Sequence, residues 1–406
     1  MTSQTLLTLL STVTKMAGRH WWLTALLWGV LIAPAQAALE LRVAIEQDVP
    51  KVRIGSSVNA VVRNGSGQVL GEIQGMSGFE AQRRNNAVVM DRWQAPLISI
   101  EPKDKNGVVW IGDRWYRGRA VVKLTGSSLT AVNYVDLEHY LYSVLGGEMN
   151  GNWPQQALKA QAVAARSYAL YRRQRYGTAV FDLCDTAQCQ VYRGVQDESA
   201  GTQQAVNATA GQVLTHNGRI IEALFHSSSG GYTENVEDVW RSGPIPYLRA
   251  VPDADQGAPV FQWTRTITQQ ELTNLAPNVG RILNVVPVAT SRTKGGRFRQ
   301  IQVIGDRGSR VIEGERFRDV FNLRSSKFVI AANDMTSNPS ITPPPANNPP
   351  VIAQPPASFT ITGYGFGHGL GMSQYGALGL AQKGWNYQQI VLHYFSQTAL
   401  AKIEVR

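Results

Sequence analysis

The sequence predicts an α+β protein with a β-rich N-terminal part, a helical segment packed on antiparallel strands, and a glycine-rich C-terminal motif that completes a cleft. Three observations carry this. Strand-like alternation and short apolar runs fill residues 39–130, apolar spacing switches to three- and four-residue steps after residue 136, and glycine recurs at positions 365, 367, 369 and 371.

The N-terminus comes first. Lys15, Arg19 and His20 precede an apolar run over 21–33, followed by Pro34 and Ala35-Gln36-Ala37. This is the layout of a secretory signal peptide over 1–37, cleaved after Ala37, and the run falls short of the roughly 20 apolar residues that span a bilayer. No second stretch of spanning length follows, so the mature chain is expected to have no stable membrane span and to reside in the periplasm or cell wall. Removing Lys15 and Arg19, in a segment without acidic residues, takes the formal net charge from +10 to +8. A basic excess suits anionic partners, either nucleic acid or acidic wall polymers, and export argues against nucleic acid.

In the β-rich region, 38–130, residues 41–45 alternate, and 108–111 and 120–124 form apolar runs. Next, Leu137, Tyr140, Leu141, Val144 and Leu145 recur at helical steps behind Asp136, an acceptable N-cap, and predict a short helix ending at Gly146-Gly147. A longer helix is expected from Pro154 to about residue 176, with Ala157, Ala160, Ala164 and Ala165 allowing close packing. Lys159, Arg166 and Arg173, seven residues apart, fall on one side of it, as cationic substrate contacts or as a solvated face.

Cys184 and Cys189 are the two cysteines. A local disulfide fits an oxidising compartment, with zinc completed by a distant ligand such as His226, or free thiols, as alternatives. With 43% hydrophobic residues, the core does not depend on that bond. Asn217-Gly218 predicts a tight hairpin turn between 212–215 and 219–225, and a second hairpin joins 283–289 to 298–304, with Lys294, Arg297 and Arg299 as a basic rim. These strands close a region over 131–254 and begin a β-rich insert or second subdomain over 255–336. Residues 337–356 are a Pro/Asn-rich linker, and 357–406 resume an ordered pattern.

The chemistry-bearing residues lie in four places. Glu148 follows the glycine pair, where a helix C-terminus and shielding by Met149 and Trp153 would disfavour its ionised form and suit it to general-acid work; read locally, it is otherwise a solvated loop carboxylate. Ser227, Ser228 and Ser229, with the glycines after them, offer hydroxyls and amides to ligand hydroxyls or a developing oxyanion, or form a turn leaving the hairpin, and no Gly-x-Ser-x-Gly elbow marks them as a hydrolase nucleophile. In the closing glycine-rich motif, His368, Gln374 and Tyr375 offer hydrogen-bonding groups to a closely approaching ligand, or the motif is a structural turn; it lacks the Lys-Ser/Thr ending of a phosphate loop. Trp153 and Trp240 are candidate stacking platforms for a ligand ring, or core residues.

Several blocks occur together and in order: Val135-Asp136-Leu137-Glu138-His139-Tyr140-Leu141, Glu148-Met149, Trp153-Pro154 and the alanine-rich run to Arg166, and Cys189-Gln190-Val191-Tyr192-Arg193-Gly194. They continue with Phe225-His226-Ser227-Ser228-Ser229-Gly230-Gly231-Tyr232-Thr233-Glu234, Val239-Trp240, and Gly365-Phe366-Gly367-His368-Gly369-Leu370-Gly371-Met372-Ser373-Gln374-Tyr375-Gly376-Ala377. Together they resemble the stage II sporulation protein D (SpoIID/LytB) family. The resemblance makes 131–254 the catalytic region and implies a lytic transglycosylase that cleaves stripped peptidoglycan strands between N-acetylmuramic acid and N-acetylglucosamine, with Glu148 as acid and base and no organic cofactor. It adds Gln190 and Tyr192 to the expected substrate contacts. It also implies work downstream of an N-acetylmuramoyl-L-alanine amidase or, in the LytB-type alternative, non-catalytic wall binding or enhancement of such an amidase. Ordinary glycosidases use two carboxylates about 5–10 Å apart; Asp182, Asp185 and Glu234 are the acids that folding could bring to Glu148.

Overall fold

The computed structural model describes residues 39–186, 188–333 and 356–403. The expected signal peptide, and the Pro/Asn-rich tract as far as residue 355, lie outside them. The architecture is α+β, as the change of apolar period predicts.

Two sheets form the N-terminal part. The larger has seven strands in the order Leu183–Cys184, Glu40–Val49, Ser128–Asp136, Arg119–Thr125, Leu97–Pro102, Ala60–Asn64 and Val69–Ile73. The smaller runs Arg114–Arg117, Val108–Ile111, Lys51–Ser56, Ser77–Arg84, Ala87–Met90 and Trp93–Ala95. Alternation sets which face is buried: Val52 and Ile54 are buried while Lys51 and Arg53, which alternate with them, are exposed. Each such branched side chain contributes about 1.5–3 kcal/mol through burial. Register is fixed by pairs such as Leu41 with Val135 and Val43 with Asn133.

Among the described residues the helices are α1 (Leu137–Glu148), α2 (Gln155–Tyr176), α3 (Ala200–Ala208), α4 (Val236–Val239), α5 (Gln269–Leu275), α6 (Gly314–Val320), α7 (Gln374–Gln382) and α8 (Tyr387–Tyr394). Asp136 caps α1, its carboxylate accepting from the backbone N–H of Glu138 at 2.9 Å and His139 at 3.2 Å. The expected end of that helix is corrected. Gly146 and Gly147 lie inside α1, which runs on to Glu148. They are there for close approach, because a Cβ on Gly146 would fall 1.7 Å from the Asp197 carbonyl oxygen.

Helix α2 is the central element. Its Ala157, Ala160, Ala164 and Ala165 are fully buried, and α1, α3, α7 and α8 pack around it. The sheet formed by Arg219–Ile220, Gln212–His216 and Ala399–Lys402 covers a further side. The Asn217-Gly218 turn has the two positive φ angles its residues predict, 49° and 74°.

A second core is formed within residues 262–333 and 356–361, where Ile267, Ile282, Ile301, Val303, Phe317, Phe359 and Ile361 are buried together. The expected second hairpin is present as Ile282–Pro287 paired with Gln300–Gly305. Ser358–Tyr364, on the far side of the Pro/Asn-rich tract, is the middle strand of a sheet between Gln262–Thr268 and Phe328–Asn333. The chain thus leaves this core directly into the glycine-rich motif and α7. No helix among the described residues is long and apolar enough to cross a membrane.

Candidate functional site

Glu148 is the last residue of α1. Its carboxylate accepts a hydrogen bond from Gln374 Nε2 at 2.9 Å. Gln374 is the first residue of α7, whose N-cap Ser373 accepts from the Gly376 N–H at 3.0 Å. Burial pushes the Glu148 carboxyl above its ordinary range, outweighing the opposing pull of Gln374, the Val191 backbone and Arg193. The shift has the direction expected from the sequence, and its main cause is desolvation.

The glycine-rich motif is tied to the serine segment strand by strand. Phe225–His226 pairs in parallel with Met372–Ser373. Ser228 and Phe366 exchange backbone hydrogen bonds of 3.0 and 2.7 Å, and the Tyr375 N–H donates to the Ser227 carbonyl at 3.0 Å. These two segments and α1 enclose a cavity of about 280 Å³, lined by Glu148, Tyr168, Val191, His226, Ser227, Phe366, His368 and Gln374, with Cys189 at its side. Among the described residues Glu148 is the one carboxylate on its wall.

Two histidines share that wall. The His226 Nδ1–H donates to the Leu370 carbonyl at 3.0 Å, which leaves Nε2 as a buried acceptor with no protein partner. Burial, then the nearby His368 and Arg297, hold it well below the usual imidazole range. His368 accepts the Leu370 N–H at Nδ1, 3.0 Å; burial, Arg297 and Arg318 push it down to about 4. Both rings are therefore neutral at pH 7, and between pH 6.5 and 4 the unfolded chain binds a proton that folded His368 refuses. That contribution to stability is complete above about 6.5 and is lost on acidification through this window. His368→Gln, which keeps an acceptor for the Leu370 amide, is expected to flatten part of the fall in urea midpoint between pH 7 and pH 4.5. An unchanged slope would mean that His368 protonates freely in the folded protein.

The predicted contacts divide sharply. Glu148, Ser227, His368 and Gln374 converge on the cavity. Tyr375 stands beside it, its ring 5.0 Å from Trp153. Lys159 is half-buried on α2 and does not line it. The others are held inside the protein. Arg166 is fully buried and forks onto Glu138, with Nε–Oε1 at 2.9 Å and Nη2–Oε2 at 2.5 Å. Gln190 is buried between the Tyr140 hydroxyl, 3.1 Å, and the Ala165 carbonyl, 3.3 Å. The Tyr192 hydroxyl donates to Asn133 at 2.7 Å. Arg297, expected on a solvated rim, is 1% exposed and lies 3.7 Å from Glu234. Among the alternative acids, Glu234 is buried against Thr293 and Gly295, Asp182 pairs with Arg42 at 2.7 Å, and Asp185, raised by burial to about 6, is not on the cavity wall. Cys184 and Cys189 form a disulfide with Cα atoms 5.5 Å apart.

Ser228 and Ser229 are also withdrawn, and their partners were missed in the sequence. Ser228 Oγ donates to Asp255 at 2.5 Å and Ser229 Oγ to Asp253 at 2.6 Å, while the Gly230 and Gly231 amides each reach Asp255 at 2.8 Å. The Tyr394 hydroxyl of α8 donates to Asp253 at 2.5 Å. This buried carboxylate pair clamps the segment that presents His226 and Ser227. Its only signal in the sequence is the alternation Asp253-Ala254-Asp255, which has no meaning until the serines are seen opposite.

Comparison with known proteins places these features in a family context. A family model described as Stage II sporulation protein matches residues 125–216, and one described as a domain of unknown function matches 254–371. Stage II sporulation protein D of Bacillus subtilis is 31% identical over 291 residues, covering 68% of this chain and 77% of that protein. An uncharacterized protein of Brachyspira hyodysenteriae is 29% identical over 282 residues, 69% of this chain and 71% of that one. The amidase enhancer of Bacillus subtilis is 32% identical over 293 residues, 64% of this chain and 40% of its own length.

Proposed function

The chain belongs to the stage II sporulation protein D family, and from that premise we propose that it is an exported cell-wall protein that cleaves stripped peptidoglycan glycan strands as a lytic transglycosylase. The observation that carries the reading is a solitary carboxyl, Glu148, raised by burial and lining a largely apolar cavity to which His226, Ser227, His368 and Gln374 add polar groups.

One carboxyl suffices for a transglycosylase. Protonated Glu148 gives its proton to the oxygen joining N-acetylmuramic acid to N-acetylglucosamine, and the bond from C1 to that oxygen breaks. The resulting carboxylate takes the proton from the muramic acid 6-hydroxyl, whose oxygen attacks C1 and closes a 1,6-anhydro ring. Water does not enter the balance. Hydrolysis by inversion or retention commonly uses a second carboxylate about 5–10 Å away; Asp182 and Glu234 are engaged elsewhere, and Asp185 does not line the cavity. His226 Nε2, an acceptor without a protein partner, suits a sugar hydroxyl, and Gln374 orients the Glu148 carboxyl.

The test is mass spectrometry of products released from amidase-stripped strands by the mature protein. Anhydro-muramic ends are expected. Reducing ends would make it a hydrolase. Likeness to an amidase enhancer supports a second reading, a non-catalytic wall protein that stimulates an N-acetylmuramoyl-L-alanine amidase. Glycan binding without any cleavage, together with faster amidase turnover, would establish that one.

A further inference from the structure

We infer that the larger cavity beside the Glu148 site is a saccharide subsite, so that a glycan strand bound at Glu148 continues across Trp240 into it; this rests on the glycan reading above. The cavity holds about 470 Å³, within the usual range of ligand pockets, and is walled by α4 and the residues after it, by the 290–300 segment, and by Glu313–Glu315 at the start of α6.

Three observations point to carbohydrate. First, the two cavities are neighbours through named groups. Trp240 lines the larger one and its ring centroid is 5.5 Å from that of His368, which lines the smaller. Arg297 lines the larger one as well, and its guanidinium packs so closely under Gly369 that a Cβ there would be 2.8 Å from Nε. Second, Trp240 is 41% exposed at the C-terminal end of α4. A flat apolar ring left in solvent at a cavity mouth matches the apolar face of a pyranose.

Third, the polar lining carries both signs in near balance: Glu237, Asp238, Glu313 and Glu315 against Arg241, Arg297 and Arg299. Arg299 lies 3.6 Å from Asp238 and Arg241 pairs with Glu313. Fixed donors and acceptors side by side suit hydroxyl and acetamido groups, and the arginines among them suit the lactyl carboxylate that a stripped muramic acid carries. Wall residues from both the serine-segment side and the second core build this subsite, which gives that core a part in substrate binding.

Equilibrium binding of oligosaccharides of three to eight N-acetylhexosamine units tests the inference, with the full mature chain carrying Glu148→Gln so that no strand is cut. Affinity is expected to rise with length and then level off. Trp240→Ala, or Thr290→Trp, which fills the cavity from an exposed position, is expected to remove that rise, costing about tenfold on the longest oligosaccharide and little on the shortest. A length dependence that survives in both variants overturns the inference, whatever the protein does to strands. Wild-type protein that cuts no strand, while the variants still abolish the length dependence, overturns the transglycosylase reading and leaves the subsite standing. Absence of binding at every length overturns both.

Discussion

Glu148→Gln is expected to lower glycan cleavage by about 10²–10⁴-fold, the usual worth of a general acid–base group, without unfolding the protein. The amide keeps a carbonyl oxygen where Gln374 Nε2 now donates, so the contact between α1 and α7 is retained. The sign of the stability change can be derived. A carboxyl whose folded pKa is raised above 4.5 contributes stability below that pH and loses it as pH rises through the folded value. At pH 7 the buried carboxylate is therefore a burden, and the Gln variant is expected to be equally or slightly more stable, as is common where a site residue is kept at the expense of stability. The same sign governs wild-type activity. The acid form disappears as pH rises through the raised pKa, so the alkaline limb of cleavage should lie above the range in which an exposed glutamate ionises. Thermal melting beside a single-turnover assay checks both parts. A variant that loses cleavage and melts far lower would have lost its fold, and one that cuts as well as wild type would remove Glu148 from the mechanism.

The sequence carried the fold well where period and packing agree. Residues 137–145 and 157–168 read as helices because their apolar and alanine positions repeat at helical steps, and those positions are buried in α1 and α2. Gly146-Gly147 misled because a glycine pair ends a helix in isolation, whereas here Asp197 presses against it from 50 residues further along the chain. The site was legible at Glu148, Ser227, His368 and Gln374. It was illegible at Ser228, Ser229, Gln190 and Tyr192, whose polar groups look free in sequence and are consumed by buried partners that only the fold brings up. Phe366 and Tyr168 gave no local cue, and the Asp253-Ala254-Asp255 alternation acquires meaning only once the serines are seen opposite. Motif membership thus identified the segments that meet, and burial decided which side chains within them remain available to a ligand.

Arg166 makes the same distinction testable. Arg166→Met is expected to cost about 3–5 kcal/mol, the range for breaking one side of a buried ion pair. The guanidinium is fully buried, satisfies both oxygens of Glu138, and donates to the Gln212 carbonyl at 3.0 Å. Glu138 in turn accepts the Gly211 N–H at 3.0 Å, so this cluster joins the start of α1 and the middle of α2 to the strand Gln212–His216. Removing the cation leaves a largely enclosed carboxylate; removing both charges in Arg166→Met/Glu138→Gln is expected to cost less than the sum of the single changes. Arg166→Lys keeps the charge but not the fork and should fall between. Ten residues of helix, about 15 Å, separate Glu138 from Glu148, so cleavage per folded molecule should stay near wild type once temperature is lowered enough to refold the variant. Urea titration paired with initial rates separates the two roles. If stability is unchanged while affinity for glycan drops tenfold, Arg166 is the substrate contact its place in the alanine-rich motif suggested, and the internal ion pair is incidental.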